Sequence, residues 1–472
     1  MLKAMKIHAG TRTLYVVLLT GILASCKITK PYSTPEQKTG SLYRTEAAVD
    51  SSTIADLPWK ELISDSTLQN LISEGLQQNL DLKIAIQRIN EAQAALDRSR
   101  AMFFPSLEGG VKVANNKSSL AALNFPPGIN INLNTVTYQA LLNSSWEADV
   151  WGKLKSGKKA ALANFLQSEA SARAVQTQLI SDIALNYYDL LAYDQQLAIT
   201  EQTLKNRIED QQTMKALKDA SIVNGAAVVQ SEANRYAAEV AIPDLKRNIR
   251  EAENALAILL AREPGAIERT KLADQRPYTD LAVGVPSQLL RNRPDLQQAE
   301  FAFRAAFENT NVARTYFYPA LTITASGGLS TLQVKDFFNR SIFYSLIGGV
   351  TQPIFSQGAN KARLKTSEAQ QQQAFYNYQQ SWLTAGLEVS NALYLYQTAT
   401  EKEESRARQI AGLEKSVEFT KDLLQYSSAT NYTDVLTSEQ TLLAAQLNGV
   451  NDRLQKLQSV IQLYRALGGG WK

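Results

Sequence analysis

Residues 153–223 read KLKSGKKAALANFLQSEASARAVQTQLISDIALNYYDLLAYDQQLAITEQTLKNRIEDQQTMKALKDASIV, with no proline and one glycine, Gly157. Nothing in this stretch obliges a helix to stop. Leu179, Ile183, Leu190, Leu197 and Leu204 recur at helical spacing, which predicts one packed, unbroken helix. At ~1.5 Å per residue it would reach roughly 105 Å, several times an ordinary globular helix. Ser356 to about Tyr426 is equally free of proline and rich in Ala, Gln, Leu and Tyr, so a second rod is expected.

Working outward, each rod turns and returns. The first return is predicted from Val228 to Ala261, with Pro243 kinking or interrupting it, and the second from Asp434 to Leu467. Ahead of the rods the period shifts from near 3.6 to 2. Leu107, Gly109, Val111 and Val113 alternate with Glu108, Gly110 and Lys112, and Val136, Tyr138, Ala140 and Leu142 with Thr137, Gln139, Leu141 and Asn143, predicting a hairpin over 107–147. A second hairpin is predicted over 321–354, its first strand carrying Leu321, Ile323, Ala325, Gly327 and Leu329.

The halves match. Asn79-Leu80-Asp81-Leu82 corresponds to Arg293-Pro294-Asp295-Leu296, and Phe104-Pro105 to Tyr318-Pro319, both at a spacing of 214. Asn224 and Ser231-Glu232 correspond to Asn431 and Ser438-Glu439 at a spacing of 207. The expected organisation is an internal duplication. A first repeat spans 57–262, with its long helix at 153–223 and a turn at 221–228. A proline- and glycine-rich connector follows at 263–286. The second repeat spans 287–472, with its long helix at 356–426 and a turn at 426–435.

The N-terminus carries Lys3, Lys6 and Arg12, an apolar run from Leu14 to Ala24, and then Leu23-Ala24-Ser25-Cys26. This looks like a lipoprotein signal over 1–25, with Cys26 as the first mature residue bearing thioether-linked lipid and 26–56 as a polar tether. The alternative is an ordinary signal peptide that contains a cysteine. Removing 1–25 takes away three cations and no acid, so the formal net charge falls from +4 to +1 and the case for nucleic-acid binding disappears.

The same cut removes His8, the only histidine, and leaves Cys26 the only cysteine. No disulfide, Cys or His metal ligand, Ser-His pair or Cys-His pair can then form, so neither an enzyme nor a metal site is expected, and no cofactor beyond the covalent lipid.

Four strands per chain cannot close a barrel and would leave open edges, which hydrocarbon does not tolerate. Three copies would supply twelve strands, a size within the range of membrane barrels. The alternative is a soluble sheet over a helical bundle. Aromatic residues flank the strands: Phe103, Phe104, Tyr316, Phe317 and Tyr318 enter them, and Trp146, Trp151 and Phe355 leave them, as an interfacial girdle would. Lys153, Lys155, Lys158 and Lys159 open the first rod, and Lys361, Arg363 and Lys365 the second. Cations there oppose the helix macrodipole, so an offsetting partner is expected: lipid phosphate or lipopolysaccharide at the inner rim, or simply water around a basic face.

LLRNRPDLQQAE (289–300), FYPALTITASGGL (317–329), WEADVWGKL (146–154) and the closing RALGGGW (465–471) resemble the outer-membrane efflux family of TolC-like channels, specifically its lipoprotein branch containing OprM and CusC. The resemblance implies a mainly α fold with membrane β structure. It would form a homotrimer whose twelve-stranded outer-membrane barrel continues into a long periplasmic helical barrel. It further implies a lipid-anchored outer-membrane exit duct for small molecules such as drugs, joined to a periplasmic adaptor and an inner-membrane pump of the resistance-nodulation-division type. A duct for an ATP-driven secretion exporter and a structural coiled-helix lipoprotein are the competing readings.

The closed periplasmic tip would lie at the two turns, with Asn224 in the first and Asn431, Tyr432 and Asp434 in the second. Family members often narrow the tunnel there with acidic rings. This chain has Thr437 where relatives often carry aspartate, and Ser428 or Ala429 where they often carry glycine. Asp434 is the substitute gate candidate, its alternative being a helix N-terminal aspartate stabilised by the dipole.

Overall fold

The structure, a computed structural model, describes residues 28–36, 42–43, 52–122, 132–284, 286–426 and 431–472. Cys26, the expected signal segment 1–25, Ser428 and Ala429 lie outside the described residues. In chain order the principal elements are α1 (Ser66–Gln78), α2 (Leu80–Ala101), β1 (Ser106–Lys117), β2 (Asn134–Ala148), α3 (Lys153–Asp219), α4 (Gly225–Leu259), α5 (Pro294–Thr315), β3 (Ala320–Thr331), β4 (Ile342–Thr351), α6 (Ala359–Tyr426) and α7 (Tyr432–Ala466). The two rods hold 67 and 68 residues.

Pro243 does not interrupt α4, which continues through it. Proline removes the N–H that the Glu239 carbonyl would accept, but both residues are exposed, so water can take the missing donor's place. The segment 26–56 is not a free tether where it is described. Ile54 and Ala55 are buried, the Ile54 amide donates to the Ala282 carbonyl at 2.8 Å, and Thr53 pairs with Val283.

The chain forms two compact units, and they do not follow the sequence repeats. One takes the residues up to Pro35, Asn90–Leu166 and Glu300–Tyr376; the other takes Glu36–Ile89, Gln167–Ala299 and Asn377–Lys472. Each therefore draws on both of the expected repeats.

The first unit holds one antiparallel sheet in the order β1-β2-β3-β4. Directly opposed residues of an antiparallel pair share a face, so the register decides what each face carries. Val111 opposes Ala140, Ala140 opposes Leu329, and Leu329 opposes Ile342; likewise Leu142 opposes Gly327 and Gly327 opposes Tyr344. Followed throughout, this places Leu107, Val113, Val136, Tyr138, Ile323, Leu321, Leu346 and Val350 on the same face. The other face carries Glu108, Lys112, Gln139, Asn143, Thr322, Ser326, Ser330 and Ser345, with Leu141, Phe343 and Ile347 among them. Val111, Ile342 and Tyr344 on the apolar face are more than 80 % exposed.

The second unit has a conventional core. Tyr187 is fully buried among Leu68, Ile72, Ile183, Leu190, Leu256, Trp382, Val460 and Leu463. Its hydroxyl donates to Asp65 Oδ2 at 2.9 Å, an oxygen that also accepts from Thr270 Oγ1 and Gln275 Nε2, while Asp65 Oδ1 caps α1 through the Thr67 amide. Burial would raise the Asp65 carboxyl, but these hydrogen bonds outweigh it and hold its pKa below the ordinary value.

The motifs LLRNRPDL and RALGGGW meet in this unit. Arg293 is buried, donates to the Ala466 carbonyl at 2.8 Å, and pairs with Asp295 at 2.6 Å and Glu388 at 2.7 Å. Trp471 Nε1 donates to the Asn292 carbonyl at 2.7 Å. Gly468, at φ 90°, makes the approach possible, because a Cβ there would lie 2.4 Å from the Asn292 oxygen. Gly468→Ala is expected to destabilise the fold by about 2–4 kcal/mol through left-handed strain plus this clash, measured as a lower unfolding midpoint at unchanged secondary structure. Gly412→Ala, inside α6 with nothing within 4 Å of the added Cβ, should not lower that midpoint and should raise it slightly by helix propensity.

Candidate functional site

The expected sites fall into two groups, and each unit holds one. In the first, Asp149 answers the question raised by the lysines that open α3: its two carboxylate oxygens accept from the Leu154 and Lys155 amides, each at 2.8 Å. A carboxylate at the helix N-terminus offsets the cations electrostatically. The lysines also have partners within the chain. Lys153 pairs with Glu147 at 2.9 Å, Lys159 with the buried Glu308 at 3.4 Å, and Lys158 lies over the Phe103 ring at 5.9 Å; Lys155 is exposed. Lipid phosphate is thus not needed to balance the macrodipole.

The aromatic residues at this end of the sheet are built in as well. The indole N–H of Trp146 donates to the Phe103 carbonyl at 2.9 Å, and that of Trp151 to the Pro319 carbonyl at 2.6 Å beside the Tyr318 ring. Tyr316 receives Lys153 and Arg363 over its ring, the latter at 3.8 Å. Phe355 and its neighbour Ile354 are 85 % and 98 % exposed, a cost in water that hydrocarbon would relieve.

In the second unit the two helix turns are neighbours. Tyr432 is buried with Met214 and Leu436, and Leu217, Ala227, Val228 and Leu424 pack around them. Asn224 caps α4 by accepting from the Ala227 amide at 3.1 Å. Asn431 and Asp434 form a capping box: Asn431 Oδ1 accepts from the Thr433 amide at 2.8 Å, and Asp434 Oδ2 accepts from the Asn431 amide at 3.2 Å. Thr437 donates to the Thr433 carbonyl at 2.8 Å. The helix-capping alternative for Asp434 is therefore realised within one chain.

Sequence reading missed the principal charge feature of this region. Arg207 and Asp210 of α3, Lys421 of α6 and Glu439 of α7 form one cluster. Arg207 donates to Glu439, and Lys421 bridges Glu439 at 2.6 Å and Asp210 at 3.3 Å. Arg207 and Glu439 are buried. Arg207 and Asp210 are an i,i+3 pair on one helix, but Lys421 and Glu439 lie more than two hundred residues further along the chain, so no local spacing signals the whole cluster. Burial, reinforced by the nearby Glu439 carboxylate, pushes the Asp210 pKa up to about 6 against the pull of Lys421.

Two consequences are measurable. The native Asp210 pKa exceeds the unfolded one, so its contribution to stability is complete below about pH 4 and is lost as pH rises through about 6. Asp210→Asn should remove that slope from the amide-exchange protection of the segments around Met214 and Tyr432. Arg207→Ala leaves Lys421 as the only cation of the cluster for the buried Glu439 and the partly buried Asp210. It should cost about 3 kcal/mol of local protection, with the sheet unaffected.

Comparison with known proteins follows this geometry. The description "outer membrane efflux protein" matches residues 71–262 and 285–469. The cation efflux system protein CusC of Escherichia coli O6:H1 is 31 % identical over 424 residues, covering 88 % of this chain and 88 % of that protein. The probable outer membrane lipoprotein SilC of Salmonella typhimurium is 30 % identical over 446 residues, covering 93 % of this chain and 94 % of that one. The outer-membrane channel OprN superposes with a TM-score of 0.84 at 24 % identity over 94 % of this chain and all of its own, a likeness of fold. The chain belongs to the outer membrane efflux protein family and is an outer-membrane efflux channel.

Proposed function

We propose that this chain is the lipid-anchored exit duct of a tripartite efflux system, working as a homotrimer whose three four-stranded sheets close one twelve-stranded barrel. The observation that carries the reading is the register of the sheet. It exposes an apolar face that water penalises, opposes it with a polar face fit to line a channel, and leaves one edge of β1 and one of β4 unpaired. An edge in hydrocarbon must be paired, and identical copies joined β4 to β1 pair every edge at once. Among the described residues no helix is long and apolar enough to cross a membrane, so this reading assigns the crossing to the strands.

In this arrangement the turns at Asn224 and Asn431 form the periplasmic tip that meets an adaptor and, through it, an inner-membrane pump of the resistance-nodulation-division type. The pump supplies the driving force, and the duct performs no chemical step. Cys26 carries the lipid, in keeping with the description of SilC as a probable outer membrane lipoprotein. CusC is described as part of a cation efflux system, yet this chain has one His, one Cys and four Met in all, too few soft ligands for a metal relay along the tunnel. Small organic molecules such as drugs are the substrate class proposed.

Leu346→Arg on the apolar face is expected to cost about 2–4 kcal/mol of membrane insertion and to deplete heat-modifiable trimers, while Ser345→Arg on the polar face leaves them in place. Equal tolerance of both would refute the barrel. A photo-crosslinker at Ala226 should capture the adaptor of a proton-driven pump. Capture of an adaptor for an ATP-driven exporter would move the protein to secretion.

A further inference from the structure

Residues 28–36 form no helix or strand, yet they are held along α5 by a built site. Asn311, fully buried, treats Lys30 as a neighbouring β-strand would. The Lys30 amide donates to Asn311 Oδ1 at 3.0 Å, and Asn311 Nδ2 donates to the Lys30 carbonyl at 3.0 Å. The remaining capacity of the side-chain amide is also used: Nδ2 donates to Glu308 Oε2 at 3.1 Å, and Oδ1 accepts from Arg314 at 3.0 Å. Glu308, 1 % exposed, is in turn paired with Lys159, one of the lysines that open α3.

Contacts on either side set the register of this strap. Downstream, the Tyr32 ring packs against Phe303 at 5.8 Å and Phe307 at 5.5 Å, with the Arg304 guanidinium over it, and Thr34 donates to Glu300 at 2.8 Å. Upstream, Thr29 lies against Gly152, where an added Cβ would be 3.4 Å from its methyl group. Gly152 follows Trp151 directly, at the aromatic end of the sheet. Cys26 precedes Thr29 by three residues in the sequence.

The duplicated scaffold carries this clamp only once. At the spacing of 214, Asp97 stands where Asn311 does and Ala94 where Glu308 does. Asp97 is exposed and bonds Gln93 and Arg100 of its own helix. A chain has one N-terminus, and only the second repeat is shaped to receive it.

We infer that Asn311 is the positioning residue for the lipidated N-terminus: by pairing both backbone groups of Lys30 it fixes where acyl chains on Cys26 enter the membrane, beside Trp151. The inference rests on the lipoprotein reading above and adds a defined attachment to it. Its consequence is that the lipid and the sheet are presented to the membrane as one unit, so insertion depends on the clamp only while the lipid is there.

The test uses the full chain. By hydrogen exchange on purified protein, the peptide covering 28–36 should exchange at least tenfold faster in Asn311→Ala and be unchanged in Asp97→Ala. In cells, Asn311→Ala should lower membrane-inserted, heat-modifiable protein several-fold when Cys26 is present, and add no further loss in a Cys26→Ser background. Unchanged exchange would overturn the clamp, and an equal fractional loss with and without Cys26 would reduce Asn311 to a residue of the fold. Intact mass showing no lipid on Cys26, with the exchange result standing, would refute the lipoprotein reading and leave the clamp in place.

Discussion

The ladder between β2 and β3 is the constraint on which the rest depends. It pairs Tyr138 with Thr331 and Ala148 with Leu321, joining strands that belong to different halves of the duplication. Loop closure over so long a stretch is entropically costly, and the chain meets it with helices rather than coil. α3 leads away from β2, α4 and the connector follow, and α5 leads into β3, so the excursion between the paired strands is mostly ordered. The same ladder brings Trp151 of the first half to the Pro319 carbonyl of the second.

Charge is used differently in the two units. Where the lysines open α3, Asp149 and Glu147 lie within a few residues in sequence and neutralise a helix end locally. In the helical unit the buried ions tie distant segments together. Asp65 joins the start of α1 to Tyr187, Thr270 and Gln275; Arg293 joins the second repeat to the chain's end; the Arg207–Glu439–Lys421–Asp210 cluster joins three helices near the turns. Buried pairs of this kind add little net stability over apolar packing, but removing one partner strands the other without solvent, so they select one arrangement over its neighbours.

Much of the architecture was legible in the sequence because its signals are periodic. Uninterrupted helical spacing in 153–223 and 356–426 marks the rods, and alternation around Val111, Ala140 and Ile323 marks the strands. Of the two outcomes expected at Pro243, a kink or an interruption, the interruption misled: the helix runs on, because the cost of proline in a helix depends on whether water reaches the freed carbonyl, a matter of exposure and not of local sequence. The polar composition of 26–56 misled similarly: Ile54 is buried through partners more than two hundred residues away, and Lys30 is held through its backbone, which carries no side-chain signature.

The sequence by itself determined the rods, the alternating strands and the absence of histidine and further cysteine after Cys26. These follow from spacing and composition, properties that a linear chain displays. Only the tertiary structure decided that both hairpins share one sheet with a predominantly apolar face, since face identity depends on register between strands. It alone also showed that the basic start of α3 is neutralised from within, that Asp434 caps a helix, and that four charges meet near the turns. Each of these is a short-range interaction between groups brought together by folding, and its strength is set by burial that no stretch of sequence states.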